Sequence, residues 1–186
     1  MDQLSKVRIG FLISGYGSNL LKVLLNLQKD PSSNFIPSLI LSNKDIIKNI
    51  KDKSKKIDKN IQIYENIHNL NKIDFNNSDL IFSIGYMKKI KKNIFDKYLT
   101  INLHPAILPN YKGLMTHKRM IMNNEKYYGF TIHKVNESID NGEILFQKVS
   151  KLKNSNEYDL NKAHKKLEHD NVYKALKKIC TLLYKL

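Results

Sequence analysis

Cysteine is almost missing from this chain. Among 186 residues there is one, Cys180, which lies in an amphipathic segment near the C-terminus. A single thiol can supply neither a disulfide framework nor a cysteine-rich metal site. The histidines also lack a metal-ligand spacing such as i, i+4 on a helix. We therefore expect Cys180 to be a core thiol, and we expect no metal ion.

Long apolar runs are missing too. No segment approaches the length of a membrane-spanning helix, and the N-terminus lacks the pattern of a signal peptide. These absences predict a soluble, cytoplasmic protein with no membrane partner. Hydrophobic residues still make up 41% of the chain. Because the length suits one domain with a sizeable core, we expect residues 1–186 to form a single domain.

Acidic residues are few beside basic ones: 17 Asp and Glu stand against 32 Lys and Arg, which gives a net charge of +15. Such a charge raises the possibility of nucleic-acid binding. However, the lysines are scattered, few aromatic residues lie among them, and Lys, Asn and Ile are the residue types that A/T-rich codons favour. Nucleic-acid binding is therefore the weaker hypothesis, whereas a basic surface would attract small anionic substrates.

Glycine is also sparse, but two glycines flank Tyr16 in a turn that follows a predicted buried strand, Val7–Ile13. The turn leads into a predicted helix, whose first N–H groups and dipole favour a phosphate group. The third glycine of the dinucleotide fingerprint is absent, because Leu20 occupies its place, and no P-loop lysine follows. The turn therefore predicts a site for one phosphate, or else a plain strand-to-helix connection.

Strand and helix patterns alternate along the chain and predict an α/β fold with a mostly parallel sheet flanked by helices. The predicted strands are Val7–Ile13, Phe35–Leu41, Asn60–Tyr64, Asp79–Ile84, Tyr98–Ile101, Gly129–Val135 and Ile144–Val149, the last two forming a hairpin. Helices are expected over 20–29, 46–56, 90–95, 115–123 and 158–186, and a loop over 65–78. Right-handed crossovers would bring the turns after Ile13, Ile84 and Ile101 to one edge of the sheet, where such folds bind ligands.

The stretch from Asn102 to Gly113 holds two prolines four residues apart, which exclude a helix. Asn102 and His104 lie two residues apart on an extended segment, so their side chains point the same way. We expect them at a strand end, facing a cleft, where an amide and an imidazole would suit catalysis. The alternative is a rigid turn in which His104 only bonds the backbone.

A set of motifs along the chain resembles the folate-dependent formyltransferases. The motifs are Ser14-Gly15-x-Gly17-Ser18-Asn19, Asn102-x-His104-Pro105-x-x-Leu108-Pro109-x-Tyr111-x-Gly113-Leu114-x-Thr116-His117, Gly129-x-x-x-His133 and Asp140-x-Gly142. The resemblance runs from about Ile9 to about Tyr173. It implies a single formyltransferase domain with a Rossmann-like sheet that includes an antiparallel portion.

The resemblance also implies transfer of a formyl group from 10-formyltetrahydrofolate to the amino group of glycinamide ribonucleotide. Alternatives are another amine, such as a nucleotide-linked amino sugar or methionyl-tRNA, or a non-catalytic folate- or nucleotide-binding relative. By resemblance the catalytic residues are Asn102, His104 and Asp140; the phosphate-binding residues are Gly17, Ser18 and Asn19; Glu168 holds the ribose hydroxyls; and Met87, Lys88, Asn136 and Ile139 line the folate site.

The chemistry of the three catalytic candidates fits that reaction. Attack of an amine on a formyl carbon creates an oxyanion, which the Asn102 amide and a protonated His104 can stabilise. Asp140 is expected to keep His104 charged and to relay protons, directly or through water. Among the other histidines, we expect His68 and His164 to be exposed, and His133 to have a supporting or structural role.

Overall fold

The computed structural model describes residues 6–152 and 156–185. Its strands are β1 Val7–Ile13, β2 Phe35–Ser42, β3 Gln62–Tyr64, β4 Leu80–Ser83, β5 Thr100–His104, β6 Tyr127–Lys134 and β7 Ile144–Lys151. Its helices are α1 Ser18–Leu27, α2 Lys48–Ile57, α3 Lys92–Phe95, α4 Thr116–Met122 and α5 Glu157–Tyr184, with a 3-10 turn at Leu70–Lys72. No helix of the described ranges is long and apolar enough to cross a membrane.

The strands form one seven-stranded sheet in the order β3-β2-β1-β4-β5-β6-β7. The first five strands of the chain pair in parallel, whereas β6 and β7 run antiparallel to their neighbours. The predicted α/β class, the parallel sheet and the C-terminal hairpin are thus confirmed. Pro37 lies in β2 next to a register shift and outside the part of β2 that pairs with β3, so its missing N–H removes no bond from that ladder.

Side-chain alternation along the central strands divides the core between the two faces of the sheet. Phe11 and Ile13 of β1 pack with α1 and α5 on one face, while Leu12 points to the other. Helix α3 and the connection between β3 and β4 cover that second face, where Phe75 is fully buried. Because truncating a buried Phe costs about 3–5 kcal/mol, this irregular segment is a structural part of the fold.

Helix α5 carries a histidine and a glutamate on its buried side. Buried residues follow one another at intervals of four, at Leu160, His164, Glu168, Val172 and Leu176. Residues four apart lie on the same face of a helix, so His164 and Glu168 enter the interior between apolar neighbours. The expectation that His164 is exposed is wrong, since only 1% of its surface is accessible.

The hairpin of β6 and β7 leaves no room for a side chain at Gly142, in the loop that joins the two strands. A Cβ atom at this position would lie 1.7 Å from the Lys134 carbonyl oxygen, so only glycine fits. The Lys134 N–H donates to the Glu143 carbonyl at 2.8 Å, which closes the loop of residues 136–142 at its base. This closure fixes where Asp140 lies relative to the sheet.

Candidate active site

Three polar side chains form a row across neighbouring strands. Asn102 of β5 pairs in register with Ser83 of β4 on one side and with His133 of β6 on the other. The Ser83 hydroxyl donates to Asn102 Oδ1 at 2.7 Å, and Asn102 Nδ2 lies 3.3 Å from His133 Nε2. Because His133 Nδ1 donates to the Lys134 carbonyl at 2.8 Å, Nε2 can accept from the amide. The amide is thereby oriented, and one of its hydrogens stays available.

Asp140 reaches this row from the loop of residues 136–142, with a left-handed backbone conformation (φ 48°). Its Oδ2 accepts the Gly113 N–H at 2.8 Å and lies 3.2 Å from His104 Nδ1. Its Oδ1 lies 3.4 Å from His133 Nε2. Burial raises the pKa of Asp140, but His133, the Gly113 N–H and His104 outweigh it and hold that pKa below its ordinary value.

His104 is almost fully buried, with 4% of its surface exposed, and both ring nitrogens face acceptors. Nε2 donates to the Tyr111 carbonyl at 2.9 Å, and Nδ1 faces Asp140. Burial lowers the pKa of His104 below its ordinary value, although Asp140 and the Tyr111 carbonyl raise it. The expectation that His104 faces an open cleft is therefore wrong, and the expectation that Asp140 keeps His104 charged stays a prediction.

The proline-framed segment after β5 is fastened to the hairpin by two residues that the sequence patterns did not single out. Thr131 Oγ1 donates to the Ala106 carbonyl at 2.7 Å and accepts the Leu108 N–H at 3.1 Å. Gln147 Nε2 donates to the Leu108 carbonyl and to Thr131 Oγ1, both at 2.9 Å. The segment, which contains a cis peptide bond between Leu108 and Pro109, therefore has a fixed position beside His104.

The turn before α1 lies at the same edge of the sheet. The Ser14 N–H donates to the Gly85 carbonyl at 3.0 Å, and Ser14 Oγ accepts the Met87 N–H at 3.0 Å. The predicted convergence of the turns after β1, β4 and β5 is thus confirmed. Gly17 precedes the helix with φ 54°, and no described side chain caps the first N–H groups of α1. An anion could bind those groups.

Glu168 of α5 lies beside the first turn of α1, at the end of the site where the predicted phosphate turn is found. Asn19 Nδ2 donates to Glu168 Oε2 at 2.7 Å, so the predicted phosphate turn and the predicted ribose ligand are in contact. Burial raises the pKa of Glu168 to about 7, although Asn19 and Lys165 lower it. Its neighbour His164 was not singled out by the sequence patterns, yet its spacing of four residues from both Leu160 and Glu168 could have revealed its burial.

The four predicted folate residues lie on the rim. Met87 and Ile139 are 70% and 62% exposed, and Lys88 and Asn136 are exposed as well. Lys88 Nζ lies 3.1 Å from His68 Nδ1, and the Asn136 amide donates to the Asn141 carbonyl at 3.2 Å. The structure thus places these residues around the edge of the site and not in contact with Asn102, His104 or Asp140 through any described hydrogen bond. In residues 6–152 and 156–185 no group of three or more His, Cys, Asp or Glu side chains could hold a metal ion.

Comparison with known families settles the relationship. Residues 7–176 match the family described as formyl transferase. The chain belongs to the formyl transferase family. Among curated relatives of this formyl transferase is the phosphoribosylglycinamide formyltransferase of Haemophilus influenzae, 30% identical over 150 residues, which are 75% of this chain and 71% of that protein.

Other curated relatives are longer than this formyl transferase. The human trifunctional purine biosynthetic protein adenosine-3 is 26% identical over 160 residues, which are 80% of this chain but only 16% of the relative. The methionyl-tRNA formyltransferase of Borreliella afzelii is 34% identical over 134 residues, which are 68% of this chain and 42% of the relative. The matches therefore include family members with different amine substrates.

Solved structures agree with the fold. The crystal structure of phosphoribosylglycinamide formyltransferase from Campylobacter jejuni superposes on this formyl transferase with a TM-score of 0.79 at 25% identity. The match covers 95% of this chain and 99% of that one. The mixed sheet and its flanking helices are thus those of the formyl transferase fold.

Proposed function

We propose that this formyl transferase moves the formyl group of 10-formyltetrahydrofolate to the amino group of glycinamide ribonucleotide. The observation that carries the proposal is the buried contact of 3.2 Å between Asp140 and His104, beside the oriented amide of Asn102. A carboxylate, an imidazole and an amide donor are the groups that transfer between two nitrogens requires, because protons must move while an oxygen gains negative charge.

Asn102 is the proposed donor to that oxygen. When the amine attacks the formyl carbon, a carbon–nitrogen bond forms and the formyl oxygen becomes negative. One hydrogen of the Asn102 amide is directed to His133, so the other is free for the oxyanion. A single donor of this kind lowers a barrier by roughly 3–4 kcal/mol.

His104 and Asp140 are the proposed carriers of the proton. The proton that the attacking amine loses can pass to Asp140, whose Oδ2 lies 3.2 Å from His104 Nδ1, so that the carboxylate and the imidazole share it. The imidazolium then adds positive charge beside the oxyanion. When the bond from the formyl carbon to the folate nitrogen breaks, the same proton moves to that nitrogen, and the pair returns to its first state.

The two ends of the site support the proposed substrates. The uncapped start of α1 at Gly17, Ser18 and Asn19 suits the phosphate, and Glu168 beside it suits the ribose hydroxyls. Met87 and Ile139 offer exposed apolar surface for the folate ring system, with Lys88 and Asn136 as polar partners. We further propose that residues 1–186 act as a single formyltransferase domain in the cytoplasm, and that the reaction needs no metal ion.

Methionyl-tRNA is a second candidate for the amine. The net charge of +15 and the similarity to a methionyl-tRNA formyltransferase favour it. A nucleotide-linked amino sugar is a further candidate amine.

A steady-state assay with 10-formyltetrahydrofolate distinguishes these amines. Glycinamide ribonucleotide, methionyl-tRNA and an amino-sugar nucleotide are offered in turn, and release of tetrahydrofolate is measured against a reaction without amine. We expect turnover with glycinamide ribonucleotide, unchanged by a metal chelator. Turnover with only one of the other amines would replace the proposed substrate, and equal turnover without amine would indicate hydrolysis of the formyl donor.

A further inference from the structure

A row of buried and half-buried polar side chains links three helices beside the proposed site. His117 Nε2 of α4 lies 2.7 Å from His164 Nδ1 of α5. His164 Nε2 lies 3.8 Å from Glu168 Oε1, and Glu168 Oε2 accepts from Asn19 of α1 at 2.7 Å. The row thus runs from the helix after the proline-framed segment to the predicted phosphate turn, and none of the proposed chemical steps uses its middle residue, His164.

His164 has an unfilled hydrogen-bonding position. Its surface is 1% exposed, and Nε2 has no hydrogen-bond partner within the described residues. Burial lowers the pKa of His164 to about 3, so the ring is neutral at neutral pH and carries one N–H. The nitrogen that carries this hydrogen acts as a donor, and the other nitrogen acts as an acceptor. The tautomer of His164 therefore sets which hydrogen bond it can make with each neighbour.

The ionisation state of Glu168 determines that choice. An ionised carboxylate only accepts, so it favours His164 with the proton on Nε2, and Nδ1 then accepts a hydrogen bond from His117 Nε2. A protonated Glu168 no longer attracts an N–H at Nε2 and, after closing the gap of 3.8 Å, can donate to it, so the proton of His164 lies on Nδ1 and is donated to His117. The neutral His117 ring is therefore protonated on Nε2 in the first state and on Nδ1 in the second.

We propose that His164 is a positioning residue that transmits the ionisation state of Glu168 to His117, so that a ribonucleotide diol bound at Glu168 also selects the tautomer of His117. The diol hydroxyls would donate to the carboxylate and favour its ionised form. The choice of a ribonucleotide as ligand rests on the proposed function. The transmission itself rests on the contacts of the row alone.

Other charged and polar groups face the row from several elements. They are Asn19 and Lys165 at Glu168, His104 and the Gly129 backbone at His164, and Glu157 at His117. Burial and the neighbouring histidines keep His164 neutral, and burial also lowers the pKa of His117. Glu168 is therefore the member of the row that changes charge near neutral pH, since its pKa is raised to about 7.

The first test uses the full chain with 15N-labelled histidine and no ligand. Nitrogen chemical shifts of the His117 ring are measured by NMR between about pH 6 and pH 8.5, the range in which neutral imidazole tautomers are distinguished. We expect His117 to change from the Nδ1–H to the Nε2–H tautomer as pH rises, with a midpoint at the pKa of Glu168. A His117 tautomer that does not change over this range would overturn the proposal.

Two variants identify the path. Glu168→Gln cannot ionise and donates its amide to His164, so His117 should stay in the Nδ1–H tautomer at every pH. His164→Phe keeps the ring volume but removes both nitrogens, so the step at His117 should vanish. His169→Phe on the same helix is the matched control and should keep the step. If the change of the His117 tautomer with pH persists in His164→Phe or in Glu168→Gln, the proposed path is wrong. Should His164→Phe fail to fold, the spectra of the wild type and of Glu168→Gln still decide the question.

The ligand test separates this inference from the proposed substrate. Glycinamide ribonucleotide at neutral pH should shift His117 of the wild type to the Nε2–H tautomer, and its Kd by calorimetry should rise about two- to tenfold in His164→Phe, the effect of one net hydrogen bond. Wild-type protein that shows the pH step but does not bind this ribonucleotide would contradict the proposed substrate alone. Binding without any change at His117 would contradict the inference alone.

Discussion

His104 and Arg119 donate hydrogen bonds to the same oxygen atom, the backbone carbonyl of Tyr111. The distances are 2.9 Å from His104 Nε2 and 3.0 Å from Arg119 Nη2, and the same Nη2 donates to the Lys112 carbonyl at 2.7 Å. Arg119 also lies over the Tyr111 ring, with its Cζ 5.6 Å from the ring centroid. The Arg119 guanidinium thus fixes the position of the carbonyl group that accepts the hydrogen bond from His104.

We predict that Arg119→Lys lowers kcat about tenfold while the fold is kept. A lysine retains the charge but lacks the planar fork, so it cannot stack on Tyr111 and hold both carbonyls. A tenfold loss corresponds to about 1.4 kcal/mol in the barrier. The measurement is the steady-state rate with 10-formyltetrahydrofolate and glycinamide ribonucleotide.

The chain's other arginine supplies the control. Arg8 pairs with Asp79 near the start of β1, and Arg8→Lys should leave kcat unchanged. Equal effects of the two substitutions would show that Arg119 has no special relation to His104. In addition, Arg119→Gln should raise the pKa of His104, because the charge of Arg119 contributes to lowering it.

Asp140→Asn should lower kcat by roughly 10²- to 10⁴-fold, the usual contribution of a group that moves a proton in the transition state. Asn has nearly the same volume and tolerates the left-handed backbone at this position, so the protein should fold normally. The rate is compared with that of Asp52→Asn, at an exposed position on α2. An active Asp140→Asn variant would contradict the proposed relay.

Ser83→Ala should lower kcat about tenfold with little change in KM. The Ser83 hydroxyl is a donor to Asn102 Oδ1, and without it the amide can turn over and present its oxygen to the oxyanion. Loss of the hydrogen bond also costs about 1 kcal/mol of stability. Ser54→Ala, at a buried serine in α2, should lose stability alone, which separates orientation of Asn102 from general loosening.

The burial of His164 predicts a loss of stability in acid. Its pKa is about 3 in the folded chain against an ordinary value of 6.5. The unfolded chain therefore binds the proton first, so this contribution is complete above about pH 6.5 and is lost as pH falls toward 3. The free energy of unfolding is measured with urea at several pH values. Between about pH 6.5 and pH 3 it should fall less steeply with decreasing pH in His164→Phe than in the wild type, by up to about 1.4 kcal/mol per pH unit.

Much of the fold could be predicted from residue patterns. Runs such as Val7–Ile13 and Asp79–Ile84 are apolar over most of their length, as is typical of strands buried on both faces, and polar residues directly after them indicate the ligand-binding edge. Asn102 and His104 were candidates because of their place at a strand end, and Asp140 because of the resemblance to the folate-dependent formyltransferases. The structure brings these three together, and their catalytic roles stay predictions.

Other parts of the site depend on geometry that residue types do not carry. The Tyr111 carbonyl lies at His104 because Tyr111 adopts a positive φ of 57°. A tyrosine at this position does not predict such a backbone conformation. The exposure of His104 was wrongly predicted, since its depth of burial follows from packing of the whole chain. His164 was wrongly placed on the surface, although its spacing of four residues from both Leu160 and Glu168 indicated the buried face.

The close approach at Gly142 limits how the chain can change in length. Asp140 lies two residues before the point where the hairpin closes, so one residue added to or removed from the loop of residues 136–141 would move the carboxylate out of reach of His104. An insertion at Lys59, in the exposed turn between α2 and β3, changes no contact of the site. Length variation is therefore tolerable at the β3 edge of the sheet and excluded at the edge that carries Asp140.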